Sequence, residues 1–177
     1  MGTKVASRYA KALLDLAVEQ KVLDKVNADM INLAEVLTDS KDLAAMLKSP
    51  VISPVKKVEI LESVFTKNLD PMSMGFMKLI VKNTRAGLLP EIADSFIDLY
   101  KRHNNIVDVF ITSATPLDQG TREKIVARIK MTYNGQLNLI EKTDASLIGG
   151  FVVRIDDNQV DASIANQLAN LKNILLN

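Results

Sequence analysis

The sequence predicts a predominantly helical α+β fold, with an N-terminal six-helix bundle followed by a small β-α-β-β-α domain. Helical periodicity runs through residues 1–105 and is interrupted only by pairs that contain proline or glycine. After that point, segments rich in β-branched residues alternate between apolar and polar positions. A chain of 177 residues with 47% hydrophobic residues is long and apolar enough for such cores. We therefore expect two domains, residues 1–105 and 106–177.

Capping residues, prolines and a glycine predict the ends of the helices in the first domain. Ser53 and Asp70 each precede a proline, so a capping side chain stands before a first-turn residue whose missing N–H costs nothing. Gly87 fits the C′ position of the helix before it. Because the connections are short, neighbouring helices should pack against one another. The predicted helices are 4–20, 22–38, 41–48, 54–67, 71–85 and 88–104.

In the second domain, the change of period separates strands from helices. One helix is predicted after Thr115-Pro116 and a final helix from about Ser163. Gly149-Gly150 is expected to form a bulge or a close backbone approach, and Asp156-Asp157-Asn158 a solvated turn. The predicted strands are 106–112, 136–142 and 148–155.

Composition and motifs exclude several function classes. With no cysteine and one histidine, the chain cannot form disulfides, thiolate metal sites or a His-rich metal site. A formal net charge of +1 and 5% aromatic residues argue against a dedicated nucleic-acid binder. The sequence contains no glycine-rich phosphate loop, no apolar run of the ~18 residues that span a membrane, and no signal-peptide pattern. We therefore predict no catalytic residue, no cofactor and no metal.

The first and fifth predicted helices carry more apolar surface than one core contact requires. Their apolar residues span arcs of roughly 240° and 220°, whereas packing on a core needs little more than ~100°. Either both helices are central in the bundle, or one face of each meets a partner. Small side chains on the first helix and flexible thioethers on the fifth favour a groove that receives an amphipathic helix. These residues are Ala6, Ala10 and Ala17 on the first helix and Met72, Met74 and Met77 on the fifth.

Three motifs in order along the chain resemble a known family. They are Arg8-Tyr9-Ala10-Lys11-Ala12-Leu13, Asn83-Thr84-Arg85 with Leu88-Leu89-Pro90, and Ser146-Leu147-Ile148-Gly149-Gly150-Phe151 with its flanking residues. Together they resemble the delta subunit of bacterial F-type ATP synthases, whose mitochondrial counterpart is the oligomycin-sensitivity-conferring protein. The resemblance covers essentially residues 1–177, and the order of helices and strands matches the family fold.

The resemblance implies a non-catalytic stator subunit that supports proton-driven ATP synthesis, on the cytoplasmic face of the bacterial plasma membrane. Its N-terminal domain would hold the N-terminal helix of an alpha subunit in a groove between the first and fifth helices. Its C-terminal domain would join the b subunits of the peripheral stalk. The implied groove residues are Tyr9, Ala10, Leu13, Phe76, Met77 and Ile80, and the implied b-subunit contacts on the final helix are Leu168, Leu171 and Leu175.

Other function classes make different predictions. A nucleic-acid-binding adaptor with a helical domain and a small α+β module would lose affinity steeply with salt, and a hydrolase or transferase would need a nucleophile–base pair that we do not find. For the stator, Ala10→Asp is expected to abolish binding to the head while leaving the fold intact. Glycine is unfavourable in the interior of a helix. At Gly75 we therefore expect either that a partner backbone comes close or that the fifth helix starts later.

Overall fold

The computed structural model describes residues 4–65, 69–116, 118–131, 135–144, 147, 151–155 and 158–161. The chain divides into two compact units, Met1–Tyr100 and Lys101–Asn177. Helices dominate the described residues, and a small mixed sheet lies in the second unit. The prediction of a predominantly helical α+β chain is therefore confirmed.

Helices follow one another through the described part of residues 4–103, with ends close to those predicted. Residues 66 and 67, the expected end of the fourth helix, lie outside the described residues. The helices are α1 (Lys4–Glu19), α2 (Leu23–Asp39), α3 (Lys41–Lys48), α4 (Pro54–Phe65), α5 (Pro71–Lys82) and α6 (Leu89–His103), with a 3-10 turn at Ala86–Leu88.

The predicted caps hold the starts of α4 and α5. Ser53 Oγ accepts a hydrogen bond from the Lys56 amide at 3.4 Å, and Asp70 Oδ1 accepts one from the Met72 amide at 3.0 Å. Asp29 of α2 adds a contact that the sequence did not reveal, since its buried carboxylate accepts from the Asp70 amide at 2.9 Å. This hydrogen bond connects the start of α5 to α2. It also gives an otherwise unpaired N–H at the helix start a charged acceptor.

The end of α5 differs from the prediction. The helix stops at Lys82 and its C′ residue is Thr84, at φ 57°, whereas Gly87 lies in the following 3-10 turn. The Arg85 amide donates to the Ile80 carbonyl and the Thr84 amide to the Val81 carbonyl, both at 3.0 Å, which is a Schellman motif. The sequence predicted Gly87 at the C′ position because that position is usually left-handed, a conformation that β-branched residues such as Thr84 rarely adopt.

One hydrophobic core joins the six helices. Its large, fully buried side chains come from every helix, so each helix contributes to the stability of the unit. They are Leu13 of α1, Met30 and Leu33 of α2, Leu47 of α3, Leu61 of α4, Met77 and Ile80 of α5, and Ile92 and Phe96 of α6.

The second unit contains a mixed sheet with a helix on one face. The strands are β1 (Ile106–Ser113), β2 (Gln136–Thr143), β3 (Phe151–Ile155) and β4 (Asn158–Asp161), and their order in the sheet is β2-β1-β3-β4. β1 and β2 are parallel and are connected through α7 (Gln119–Lys130), whereas β3 is antiparallel to both β1 and β4. Alternating residues of the strands pack against α7, as the alternation predicted. The core consists of Val109, Ile111, Ile125, Ile129, Val153 and Ile155.

Strand β4 corrects the prediction of a turn that included Asn158. The segment Asn158–Asp161 is polar and has low strand propensity, yet it pairs with β3, with Val160 opposite Val153. It lies at the edge of the sheet, where polar residues are tolerated. Gly149-Gly150, Asp156-Asp157 and the final predicted helix with Leu168, Leu171 and Leu175 lie outside the described residues.

An ion pair joins the end of α6 to β1. Lys101 Nζ donates to Asp108 Oδ2 at 2.6 Å, and Asn138 Nδ2 of β2 donates to Asp108 Oδ1 at 2.8 Å. Burial raises the pKa of Asp108, but the two hydrogen bonds and the charge of Lys101 outweigh it, so that the pKa lies below its ordinary value. Asp108 therefore stabilises the fold in its charged form.

We expect Asp108→Asn to lower the free energy of unfolding by about 1 kcal/mol at neutral pH. Because the folded pKa lies below the unfolded one, this stabilisation is complete above the unfolded pKa of about 3.9 and is lost as the pH falls through the folded pKa. Urea titrations followed by NMR signals of β1, at about pH 7 and about pH 3, measure the effect. A difference that stays constant in acid would contradict it, and Asp15→Asn on exposed α1 surface is the control.

Candidate functional site

Most apolar residues of α1 lie on two faces, and Val18, which is 40% exposed, lies on neither. The buried face consists of Ala6, Ala10, Leu13, Leu14 and Ala17. A second face follows the spacing i, i+4, i+7 and i+11 and remains accessible, because Leu16 is 42% exposed, Ala12 is exposed, and Val5 and Tyr9 are half-buried. One surface of α1 therefore stabilises the unit, and a neighbouring apolar stripe is left without cover.

Helix α5 repeats this division. Its buried face consists of Ser73, Met77, Ile80 and Val81. The second face follows i, i+4 and i+7, with Met72 and Phe76 half-buried and Leu79 51% exposed. One exposed leucine is ordinary on a protein surface, but a contiguous exposed apolar patch indicates a contact surface.

The accessible faces of α1 and α5 meet at an aromatic pair. The rings of Tyr9 and Phe76 have centroids 6.5 Å apart and an interplanar angle of 70°, which is an edge-to-face arrangement. We call the surface formed by these faces the apolar seam. It consists of Val5, Tyr9, Ala12 and Leu16 of α1 and Met72, Phe76 and Leu79 of α5.

Arg85 fixes the aromatic pair from beyond the end of α5. Its Nη1 donates to the Tyr9 hydroxyl at 2.6 Å, and its guanidinium carbon lies 5.5 Å from the centroid of the same ring. The Schellman motif places Arg85, because it sets the direction of the chain directly after Thr84. Arg85 belongs to the Asn83-Thr84-Arg85 motif, and nothing in the sequence predicts its contact with Tyr9.

The structure separates the six implied groove residues into two groups. Tyr9 and Phe76 lie in the apolar seam. The other four, Ala10, Leu13, Met77 and Ile80, are at most 1% exposed and lie in the core between the helices, whereas the sequence left open which face they belong to.

The seam residues that the prediction left out are Val5, Ala12, Leu16, Met72 and Leu79. Periodicity had placed all five within the wide apolar arcs, but the arcs alone did not distinguish the inner side from the outer side. Because Ala10 is fully buried, we expect Ala10→Asp to destabilise the fold, contrary to the expectation from sequence. One face of each helix is buried in the bundle, and the other face remains accessible.

Gly75 lies next to the seam and within a helix that starts where predicted. Asp70 caps α5 and Pro71 is its first residue, so a late start is wrong. Gly75 is exposed, and a Cβ added there would have no heavy atom within 4 Å. It stands three residues after Met72 and four before Leu79, so it borders the seam.

We expect Gly75→Ala to raise the free energy of unfolding by about 0.5–1 kcal/mol, because alanine loses less backbone entropy in a helix than glycine does. Thermal unfolding of the full chain measures the change. The control is Gly87→Ala, where the new Cβ would meet Lys48 Cγ at 3.2 Å and no comparable gain is expected. Equal stability of Gly75→Ala and the natural chain would contradict the expectation.

The described residues contain neither a helix that could span a membrane nor a cluster of metal ligands. None of the helices in the described part of the chain is both long and apolar enough to cross a lipid bilayer. The same residues hold no group of three or more His, Asp or Glu side chains placed to bind a metal ion.

A family model described as the ATP synthase delta (OSCP) subunit matches residues 5–175. The chain belongs to this family. The ATP synthase subunit delta of Cytophaga hutchinsonii is 37% identical over 171 residues, which cover 97% of this chain and 93% of the relative. That of Chlorobium phaeobacteroides is 38% identical over 179 residues, covering 99% and 98% of the two chains.

A solved structure extends the comparison to the fold of this delta-family chain. A chain in the cryo-EM structure of the Toxoplasma gondii mitochondrial ATP synthase hexamer superimposes with a TM-score of 0.71 and 26% identity, covering 99% of both chains. The resemblance inferred from the motifs is therefore confirmed. The chain is a non-catalytic subunit of an ATP synthase, and the comparisons give no support to the nucleic-acid-binding alternative.

Proposed function

We propose that this delta-family chain is the stator subunit that links the catalytic head of a proton-translocating ATP synthase to its membrane sector. In this proposal residues 1–105 form a six-helix bundle that binds the head, and residues 106–177 bind the b subunits of the peripheral stalk. The complex would lie at the cytoplasmic face of a bacterial plasma membrane, with this chain peripheral to the bilayer. Holding the head against rotation requires binding strength rather than a reacting group.

The observation that carries the proposal is the apolar seam. Two helices present apolar side chains at i, i+4 and i+7 spacing, which is the pattern that an amphipathic helix meets when it lies in a groove. Leu16 and Leu79 are 42% and 51% exposed, so covering each would contribute on the order of 1 kcal/mol. We propose the N-terminal helix of an alpha subunit as the partner that covers them.

Tyr9 and Phe76 form the floor of the seam in this proposal. Their edge-to-face packing and the bond from Arg85 hold the rings before a partner arrives, so little side-chain entropy would be lost on binding. Met72 is unbranched and half-buried, which lets it adapt to the partner's side chains. For the b subunits we propose Leu168, Leu171 and Leu175 of the final predicted helix.

Calorimetric titration of the full chain with a peptide from the N-terminus of the cognate alpha subunit tests the proposal. We expect 1:1 binding with a negative heat-capacity change, because apolar surface leaves water. A peptide of the same composition and scrambled order is the control, since it lacks a continuous apolar face. Equal heats from the two peptides, or none from either with the chain folded, would contradict the role of the seam.

A further inference from the structure

A cleft on the helical unit contains three cations, of which Arg85 also contacts Tyr9 of the apolar seam. It has a volume of about 620 Å³ and lies between the α3–α4 connection and the turns that follow α5. Its cationic lining residues are Lys48, Lys57 and Arg85, and none of the described aspartate or glutamate residues lines it. Apolar side chains such as Ile52 and Leu88 form other parts of its wall. We call this feature the cationic cleft.

Lys57 provides a built-in positive charge in the cleft. The residue is only 8% exposed, and its Nζ donates to the Leu47 carbonyl at 2.8 Å and to the Ser49 carbonyl at 2.7 Å. These acceptors lie at the C-terminal end of α3, where orphan carbonyls favour a cation. An ammonium group has three N–H donors, and the described contacts use two of them. The carbonyls are dipoles rather than charges, and no carboxylate among the described residues forms an ion pair with Lys57.

Lys48 and Arg85 add charge at the rim of the cleft. Lys48 is exposed, and the backbone near Gly87 passes so close to it that a Cβ would meet Lys48 Cγ at 3.2 Å. Arg85 uses Nη1 for the Tyr9 hydroxyl, while a guanidinium carries five N–H donors in all. Neither cation has an ion-pair partner among the described residues.

We propose that the cationic cleft binds a carboxylate-bearing segment of a partner protein, at a second docking site apart from the apolar seam. Three cations without a lining carboxylate are complementary to acidic side chains, and the fork of Arg85 matches a carboxylate in two contacts. The apolar wall can contact the aliphatic part of acidic side chains and apolar residues beside them in the segment. This favours a peptide over a small inorganic anion. Lys48 and Lys57 belong to the cleft alone, whereas Arg85 lies between the cleft and Tyr9 of the seam.

NMR titration of the 15N-labelled full chain with a blocked hexaglutamate peptide tests the proposal. Amide shifts should cluster around Lys48 and Gly87, and affinity should fall as salt is added. In Lys48→Gln/Arg85→Gln the affinity should be at least about tenfold weaker, because two charge-assisted contacts are lost. The control Lys25→Gln/Arg102→Gln removes the same charge from exposed sites outside the cleft, and its affinity should match the natural chain.

Three results would overturn the proposal. Equal weakening in both double variants would mean that only net charge attracts the peptide. Binding of blocked hexaglutamine at the same amides would remove the role of the carboxylates. Inorganic phosphate that shifts the cleft amides when hexaglutamate does not would make the cleft a small-anion site.

Discussion

Ala10→Asp should destabilise the helical unit by about 3 kcal/mol or more, because the new carboxylate would be buried without a partner. Ala10 is fully buried on α1 within the core that joins the helices. A loss of this size is a large share of the 5–15 kcal/mol that typically holds a domain together. Urea unfolding followed by far-UV circular dichroism measures it.

Ala12→Asp is the matched control for this prediction. It introduces the same residue into the same helix two positions further on, where the side chain is exposed. Its cost should be limited to the lower helix propensity of aspartate, about 0.7 kcal/mol. Similar losses in the two variants would mean that burial does not decide the effect, and a stable Ala10→Asp would remove Ala10 from the core.

The helix starts could be predicted because the signals lie within a few residues of sequence. Asp70 and Ser53 cap their helices as expected, since each side chain accepts a hydrogen bond from an amide of the first turn and is followed by a proline at the first helical position. The end of α5 could not be predicted in this way. Thr84 takes the left-handed conformation against its own preference, because continued packing of the chain after α5 determines the turn.

The division of α1 and α5 into two faces could not be predicted from the sequence. A helical arc of ~240° contains both a core face and an accessible face, and only neighbouring helices determine which is which. Ala10 and Ala12 have the same side chain, yet Ala10 is fully buried and Ala12 is exposed. The edge strand β4 was not predicted for a similar reason. It is a strand because it pairs with β3, and its composition alone does not indicate one.

Leu79→Glu should abolish binding of the alpha-subunit peptide while leaving the helical unit folded. Leu79 is 51% exposed at the apolar seam, so glutamate there remains solvated in the free chain and is a good helix former. On binding, the charge would have to be desolvated against an apolar partner face. We expect a loss of at least 2 kcal/mol, or about 30-fold in affinity, as for residues at the centre of an interface.

Val64→Glu separates this effect from a general effect of added charge. Val64 of α4 is 49% exposed, so the two positions are alike in accessibility, and it does not belong to the seam. Its variant should bind the peptide like the natural chain in the same calorimetric titration. If Val64→Glu weakens binding and Leu79→Glu does not, the partner covers α4 instead of the seam. Equal weakening by both would show that charge repels the peptide from a distance, and the seam would lose its role as the contact surface.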